Sequence, residues 1–260
     1  MCILFVALKA HAEYPLIICA NRDEFHHRPT EAAHFWDDSN QLLAGKDLEA
    51  GGTWLGVNQQ GSVAGLTNIR DPELIQSDMK SRGELAIKAL SSGGLDEAWL
   101  QRYSPFYNPF NLLFGDEKAL FCFDSRLRLY SQLSPGFHSI SNGALDDIWP
   151  KMARGSQAIE SHITTNKEPN VEALLAIMTD GTQAPDDELP QTGVSLEWER
   201  HLSSIYIQHQ EYGTRSTTII MKDNQGKVHF AEVRYDGKGR NLGRDDFTIQ
   251  PKHIGTAHLT

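Results

Sequence analysis

Cys2 heads an apolar run, Cys2-Ile3-Leu4-Phe5-Val6-Ala7-Leu8, and a second run, Pro15-Leu16-Ile17-Ile18-Cys19-Ala20, ends directly on Asn21-Arg22-Asp23-Glu24. A thiol, a guanidinium and two carboxylates are the parts of an activated nucleophile. Removal of Met1 would leave Cys2 with a free α-amine, whose ordinary pKa is about 7.7–8.0. That amine can take the thiol proton, directly or through water. A neighbouring arginine favours thiolate over thiol. The plainer alternative is a small buried hydrophobe on the first strand.

Only a hairpin brings these groups together. Two short β-rich runs joined by the polar residues 9–14 read as antiparallel strands. A turn centred near His11 and Ala12 pairs position 2 with position 21 or 22. Alternation along the second strand sends Asp23 and Glu24 to opposite faces, so at most one of them faces Cys2.

Three more polar groups fall at strand ends: Asn68 in Leu66-Thr67-Asn68-Ile69-Arg70, Asn142 in Ser139-Ile140-Ser141-Asn142-Gly143, and Arg215 in Tyr212-Gly213-Thr214-Arg215-Ser216. An asparagine amide can donate to an oxyanion, contributing about 3–4 kcal/mol to a transition state. An arginine can hold a carboxylate or shift a thiol pKa. Each also has an ordinary reading: a turn residue before glycine for Asn142, a turn before Asp71-Pro72 for Asn68, an ion pair for Arg215.

The elements between them alternate in blocks. Gly51-Gly52-Thr53-Trp54-Leu55-Gly56-Val57-Asn58 and 62–68 flank Gln59-Gln60-Gly61 as a second hairpin. Ser81-Arg82-Gly83-Glu84 has the spacing of a capping box opening a helix to about Leu90. A second helix follows over 95–103. The stretches 111–115, 119–123, 127–133 and 137–141 read as an antiparallel meander. Trp149-Pro150 opens a helix to about His162, and 171–178 is another. The last strands are 203–208, 215–222 and 228–234, with Asp223-Asn224-Gln225-Gly226 as a turn. The polar stretch 25–41 and the acidic loop 180–188 receive no element. Strands and helices segregated in this way give an α+β chain.

The 260 residues carry a net charge of −10 and suit a single domain over 1–260. No basic patch is present to displace counterions from nucleic acid or to bind anionic membranes, and no segment approaches the roughly 20 apolar residues of a membrane span. Cys2, Cys19 and Cys122 are odd in number and scattered, which fits a reducing cytoplasm rather than a disulfide framework. Ala10-His11-Ala12 mimics a signal cleavage site, but no basic residue precedes the short apolar run, so the strand is preferred. No metal-ligand spacing is found.

Cys2, Ala20-Asn21-Arg22-Asp23-Glu24, Gly51-Gly52-Thr53-Trp54-Leu55-Gly56, Leu66-Thr67-Asn68, Ser141-Asn142-Gly143, Trp149-Pro150-Lys151 and Tyr212-Gly213-Thr214-Arg215-Ser216-Thr217 together resemble the NRDE family, also called the transport and Golgi organisation 2 family. The resemblance implies an αββα sandwich of the N-terminal-nucleophile hydrolase type: two antiparallel sheets between helix layers. It is similar, more distantly, to penicillin V acylases and choloylglycine hydrolases. Their Arg after the second strand matches Arg22, a later Asn matches Asn142, and a late Arg matches Arg215. In those hydrolases the acid follows the Arg at wider spacing than Asp23 does here.

Two functions follow as expectations, beside the plain alternative of a scaffold protein with no small-molecule site. The resemblance implies a carrier that binds and traffics a small amphipathic ligand, haem or acyl-CoA-like, with Asn21, Arg22, Asp23, Glu24, Trp54 and Arg215 around it and no cofactor required. A homo-oligomer is compatible with the chain. The alternative, which the residues themselves support, is a hydrolase of amide or thioester bonds in a small acyl substrate. In it Cys2 attacks, Asn68 or Asn142 holds the oxyanion, and Arg22, Asp23 and Arg215 tune the thiol and its substrate. For haem, His26, His27, His34 and His138 are the candidate axial ligands. Trp36, Trp54, Phe106, Tyr107 and Phe110 are the aromatics that could line an apolar cleft.

Overall fold

The computed structural model describes residues 2–36 and 42–250. Numbered in chain order, one sheet has six strands in the spatial order β10 (Gly136–Ile140), β1 (Cys2–Leu8), β2 (Leu16–Phe25), β11 (Tyr212–Lys222), β12 (Val228–Tyr235) and β13 (Asn241–Ile249). The other has seven, in sequence order: β3 (Thr30–Phe35), β4 (Leu43–Asp47), β5 (Leu55–Val57), β6 (Val63–Asn68), β7 (Phe110–Gly115), β8 (Leu120–Asp124) and β9 (Leu129–Gln132). Every pairing is antiparallel.

The apolar run of β1 is continuous because both of its faces are covered. Cys2, Leu4, Val6 and Leu8 point between the sheets, meeting Leu55, Val57 and Leu113. Ile3, Phe5 and Ala7 point the other way, onto Met152, Ile159 and Ile163 of α3 (Pro150–Thr165) and Leu174 and Met178 of α4 (Val171–Met178). On the far side, α1 (Gly83–Ser91) and α2 (Glu97–Tyr103) set Leu85, Ala86, Leu90 and Leu100 against Ala64, Leu112, Phe114 and Phe123 of the second sheet. The result is an αββα sandwich with three apolar layers. Each fully buried aliphatic or aromatic side chain contributes about 1.5–3 kcal/mol.

Helix starts follow local chemistry where a short polar side chain is available. Asp96 accepts from the Trp99 N–H at 2.8 Å at the head of α2, and Asn170 from the Ala173 N–H at 2.7 Å at the head of α4. The capping box expected at Ser81 does not form. The helix begins at Gly83, Arg82 already has helical angles, and no side chain caps it. Glu84 is drawn off by the Tyr107 hydroxyl, which donates to it.

Four other expectations change. The meander splits: its last strand, β10, crosses to the first sheet and pairs Ile140 with Leu4, because its apolar residues complete the layer around β1. Residues 203–208 are not a strand: the Tyr206 N–H donates to the Asp180 carbonyl, the Ile205 carbonyl accepts from the Asn21 amide and the Ile207 N–H donates to the Thr214 hydroxyl, which leaves one isolated bridge to β11 at Gln208. The unassigned polar stretch supplies β3, and β4 begins just beyond it at Leu43. A fifth helix, α5 (Leu196–Leu202), and the edge strand β13 carry too many exposed polar residues to show an apolar pattern.

Candidate active site

β1 and β2 pair Cys2 with Arg22, one of the two registers the hairpin allowed. Strand parity then sets Cys2, Arg22 and Glu24 on the face between the sheets, and Asn21 and Asp23 on the helix face. Cys2 lies on the floor of a cleft of about 400 Å³ whose walls include Arg22, Asp23, Glu24, Trp54, Asn68 and Arg82. The hairpin ends at this cleft, so both carboxylates border it, Glu24 from the thiol's own face and Asp23 from the helix side. Burial pushes the Cys2 thiol pKa up; Asp23 and Glu24 add to that, and Arg22 opposes it.

Arg22 is 4% exposed and held on every side. Its guanidinium lies 4.3 Å from the centre of the Trp54 ring, donates to the Thr30 hydroxyl at 2.9 Å, and sits 3.5 Å from the Asp47 carboxylate. Asp47 in turn accepts from Arg28 Nε at 2.7 Å, and Arg28 reaches Glu49 at 3.2 Å. The Trp54 ring fits because residue 45 is glycine: a Cβ there would fall 2.3 Å from Trp54 Cη2. Gly52 serves the opposite wall. A Cβ on it would lie 2.6 Å from the Gly83 carbonyl carbon, and this close backbone approach brings the start of α1, with Arg82, up to the cleft.

Asn21 does not line the cleft. Its amide donates to the Met178 and Ile205 carbonyls at 2.8 and 2.9 Å and accepts from Thr217 at 2.6 Å, tying the sheet to its helices. Asp23 accepts from the Thr214 hydroxyl at 2.7 Å. Burial pushes its pKa up to about 6, with the field of Lys151 pulling the other way. Lys151, 2% exposed on α3, is pushed down to about 8 by its own burial and by Arg70.

The two asparagines separate cleanly. Asn142 is 2% exposed; its amide donates to the Asn68 backbone carbonyl at 2.8 Å and accepts from Arg70 Nη2 at 3.1 Å. It borders a different cleft, shared with Arg70, Asp147 and Trp149. The Asn68 side chain lines the Cys2 cleft and makes no hydrogen bond among the described residues, so its amide is free to donate. Arg215 also lies elsewhere. It stands at the β-bulge between Thr214 and Ser216, donates to the carbonyls of Phe25, His26 and Arg28, and lines a small cavity of about 100 Å³ beyond Trp54.

Sequence reasoning passed over Arg82, Asp47 and Lys151. A lysine in the first turn of a helix, where the dipole disfavours a cation, was the signal for Lys151. Arg82 was hidden by its place inside an apparent capping box. Asp47 lies where no element was assigned.

Among the described residues no cluster of histidine, cysteine or acidic side chains could hold a metal ion. None of the four candidate histidines lines the Cys2 cleft, and His138 has both ring nitrogens engaged, by Asp146 and by the Ser134 carbonyl, so a haem in that cleft would find no axial ligand among them. Of the candidate aromatics only Trp54 lines it; Trp36, Tyr107 and Phe110 are core, and Phe106 is exposed.

The family model for Transport and Golgi organisation 2 matches residues 1–237. The bovine (Bos taurus) Transport and Golgi organization protein 2 homolog is 35% identical over 257 residues, covering 89% of this chain and 92% of its own. The human (Homo sapiens) homolog is 30% identical over 255 residues, with the same shares covered. Among solved structures, the C2A mutant of conjugated bile acid hydrolase from Clostridium perfringens superposes with a TM-score of 0.53 at 8% identity, covering 95% of this chain and 92% of that one. That likeness is one of fold: the αββα sandwich of N-terminal-nucleophile hydrolases.

Proposed function

Since this chain belongs to the Transport and Golgi organisation 2 family and builds a cleft around its second residue, we propose that it is a Cys2-dependent hydrolase of amide or thioester bonds in a small acyl substrate. The observation that carries this reading is the Cys2 thiol on the floor of a polar cleft, opposite Arg22, with the unengaged Asn68 amide on the wall.

The chemistry balances with these groups. After Met1 is removed, the α-amine of Cys2 takes the Sγ proton while sulfur attacks the substrate carbonyl carbon. The carbonyl electron pair moves onto oxygen, where Asn68 donates a hydrogen bond. Collapse breaks the C–N or C–S bond, and the ammonium returns its proton to the departing amine or thiolate. Water then attacks the acyl-Cys2 thioester, delivering its proton to the freed sulfur and its oxygen to the acid product. Asp23, ionised above its pKa of about 6, favours the ammonium form of the amine. Arg22, clamped by Trp54, Thr30 and Asp47, lowers the cost of the thiolate. All three cysteines are free thiols, which suits a reducing cytoplasm.

Intact-mass measurement of the protein tests this, before and after incubation with 4-nitrophenyl acetate. Loss of methionine and an acetyl adduct that vanishes in Cys2→Ala support the reading. Retained methionine, or equal turnover by Cys2→Ala, ends it.

A second reading keeps the cleft and drops the chemistry: a carrier that binds an acyl-CoA-like amphiphile reversibly. The raised thiol pKa favours it, because burial keeps Cys2 neutral and unreactive. Such a carrier binds its ligand unchanged in Cys2→Ala and releases it without turnover. No described helix is long and apolar enough to cross a membrane.

A further inference from the structure

We infer that Arg82 is a binding subsite for an oxyanion, carboxylate or phosphate, on the substrate of the Cys2 cleft, so that the acyl compound accepted there is an anionic one. This rests on the hydrolase reading above for its substrate, though not for its anion binding.

The cleft holds three arginines, and two are already matched. Arg22 and Arg28 share Asp47, and Arg28 also meets Glu49. Arg82 differs. It lines the same cleft, half-buried, and among the described residues its side chain makes one hydrogen bond, from Nη1 to the Pro109 carbonyl at 3.1 Å. No carboxylate lies within ion-pair distance of it among the described residues. A guanidinium partly removed from water without a counter-charge is costly to hold in place, and here it is held by the backbone approach of Gly52 to Gly83. Its remaining N–H groups form the planar fork that suits a bidentate oxyanion. Burial pushes the Arg82 guanidinium pKa down, with the fields of Glu24 and Cys2 opposing and that of Arg28 adding to it. An anion on Arg82 therefore shares the cleft with the nucleophile, and Trp54, Leu66 and Met79 are among the residues that line it. Lys80 is no substitute: it is exposed and directed at Glu84, 3.9 Å away.

Three acyl donors of matched length test this: the 4-nitrophenyl monoester of glutarate, its methyl ester, and the 4-nitrophenyl ester of 4-phosphonobutyrate. The rate of Cys2 acylation is read by intact mass. The expected result is that the anionic donors acylate Cys2 about ten-fold or more faster than the neutral one. Arg82→Met should bring that ratio to near one, and Arg82→Lys should retain part of it. The two anionic donors separate carboxylate from phosphate recognition. Equal rates for charged and neutral donors, or a ratio unchanged in Arg82→Met, would overturn the inference and leave the hydrolase standing. Titration of Cys2→Ala with glutarate and with inorganic phosphate reads the subsite without the chemistry. Binding of either that Arg82→Met abolishes supports the subsite even where no donor acylates Cys2, which would sink the hydrolase alone; binding of neither sinks the subsite.

Discussion

In Asn142→Ala two hydrogen bonds of a buried side chain disappear together: the one its amide donates to the Asn68 carbonyl at 2.8 Å, and the one it accepts from Arg70 at 3.1 Å. A contact from the Ser141 hydroxyl at 3.4 Å is too long to add much. The site is 2% exposed, so water cannot replace these partners freely. A neutral bond of this kind contributes about 1 kcal/mol, and one to a charged group about 1.5–3 kcal/mol. Their sum, about 3 kcal/mol, corresponds to a fall of about 6–12 °C in Tm for a chain of this size. Asn68→Ala removes a side chain with no hydrogen bond to lose, so stability should change by only ~0.5 kcal/mol. Its cost should fall on chemistry, about 10²–10³ in the acylation rate of Cys2. Thermal unfolding followed by circular dichroism, and acylation followed by intact mass, measure the two effects separately. If Asn142→Ala melts with the wild type and loses acylation, the assignment of the oxyanion donor is wrong.

Gly45→Ala should drive a methyl into the Trp54 ring, which lies 2.3 Å from the new Cβ, and loosen Arg22; urea unfolding should show a loss of about 1–3 kcal/mol, and an unchanged midpoint would contradict the packing described. Glu199→Ala strands Arg70, since their 3.0 Å pair is 5% exposed on both sides. It should cost about 3–5 kcal/mol, while the double replacement Arg70→Met with Glu199→Leu recovers much of that; an additive double variant would refute the pairing. Glu232 is buried and pushed up to about 7 from an ordinary 4.5, so the native state holds its proton more tightly than the unfolded chain does. Its contribution, about 3 kcal/mol, is present below pH ~4.5 and lost as pH rises through about 7. Glu232→Gln should flatten stability over that window in denaturant titrations; a slope unchanged from wild type would place the titration elsewhere.

Much of the scaffold was legible because its signals are local. The runs at 2–8 and 15–20 are apolar at every position, which strands covered on both faces demand, and their turn placed Cys2 opposite residue 21 or 22, of which the structure has Arg22. Pro150 marked a helix start by its own chemistry. The polar edge strands β3 and β13 carried no such pattern, being exposed on much of their length. The strand at 136–140 was readable as a strand but not as a member of the first sheet, since nothing in five residues says which neighbour they will pair with.

By itself, then, the amino-acid order determined the family, the α+β class and the hairpin that sets a thiol beside a guanidinium. Tertiary structure alone decided which polar groups at that hairpin are free to act. Asn142 and Asn68 look alike along the chain, yet one is consumed by Arg70 and the Asn68 backbone while the other faces the cleft. Arg215 is taken up by three carbonyls of the β2 end and the turn beyond it, while Arg82, in the cleft of Cys2, has no ion-pair partner among the described residues. The physical reason is that a side chain's availability depends on partners brought in from distant segments, and those partners exist only once the two sheets and their helices have closed around it.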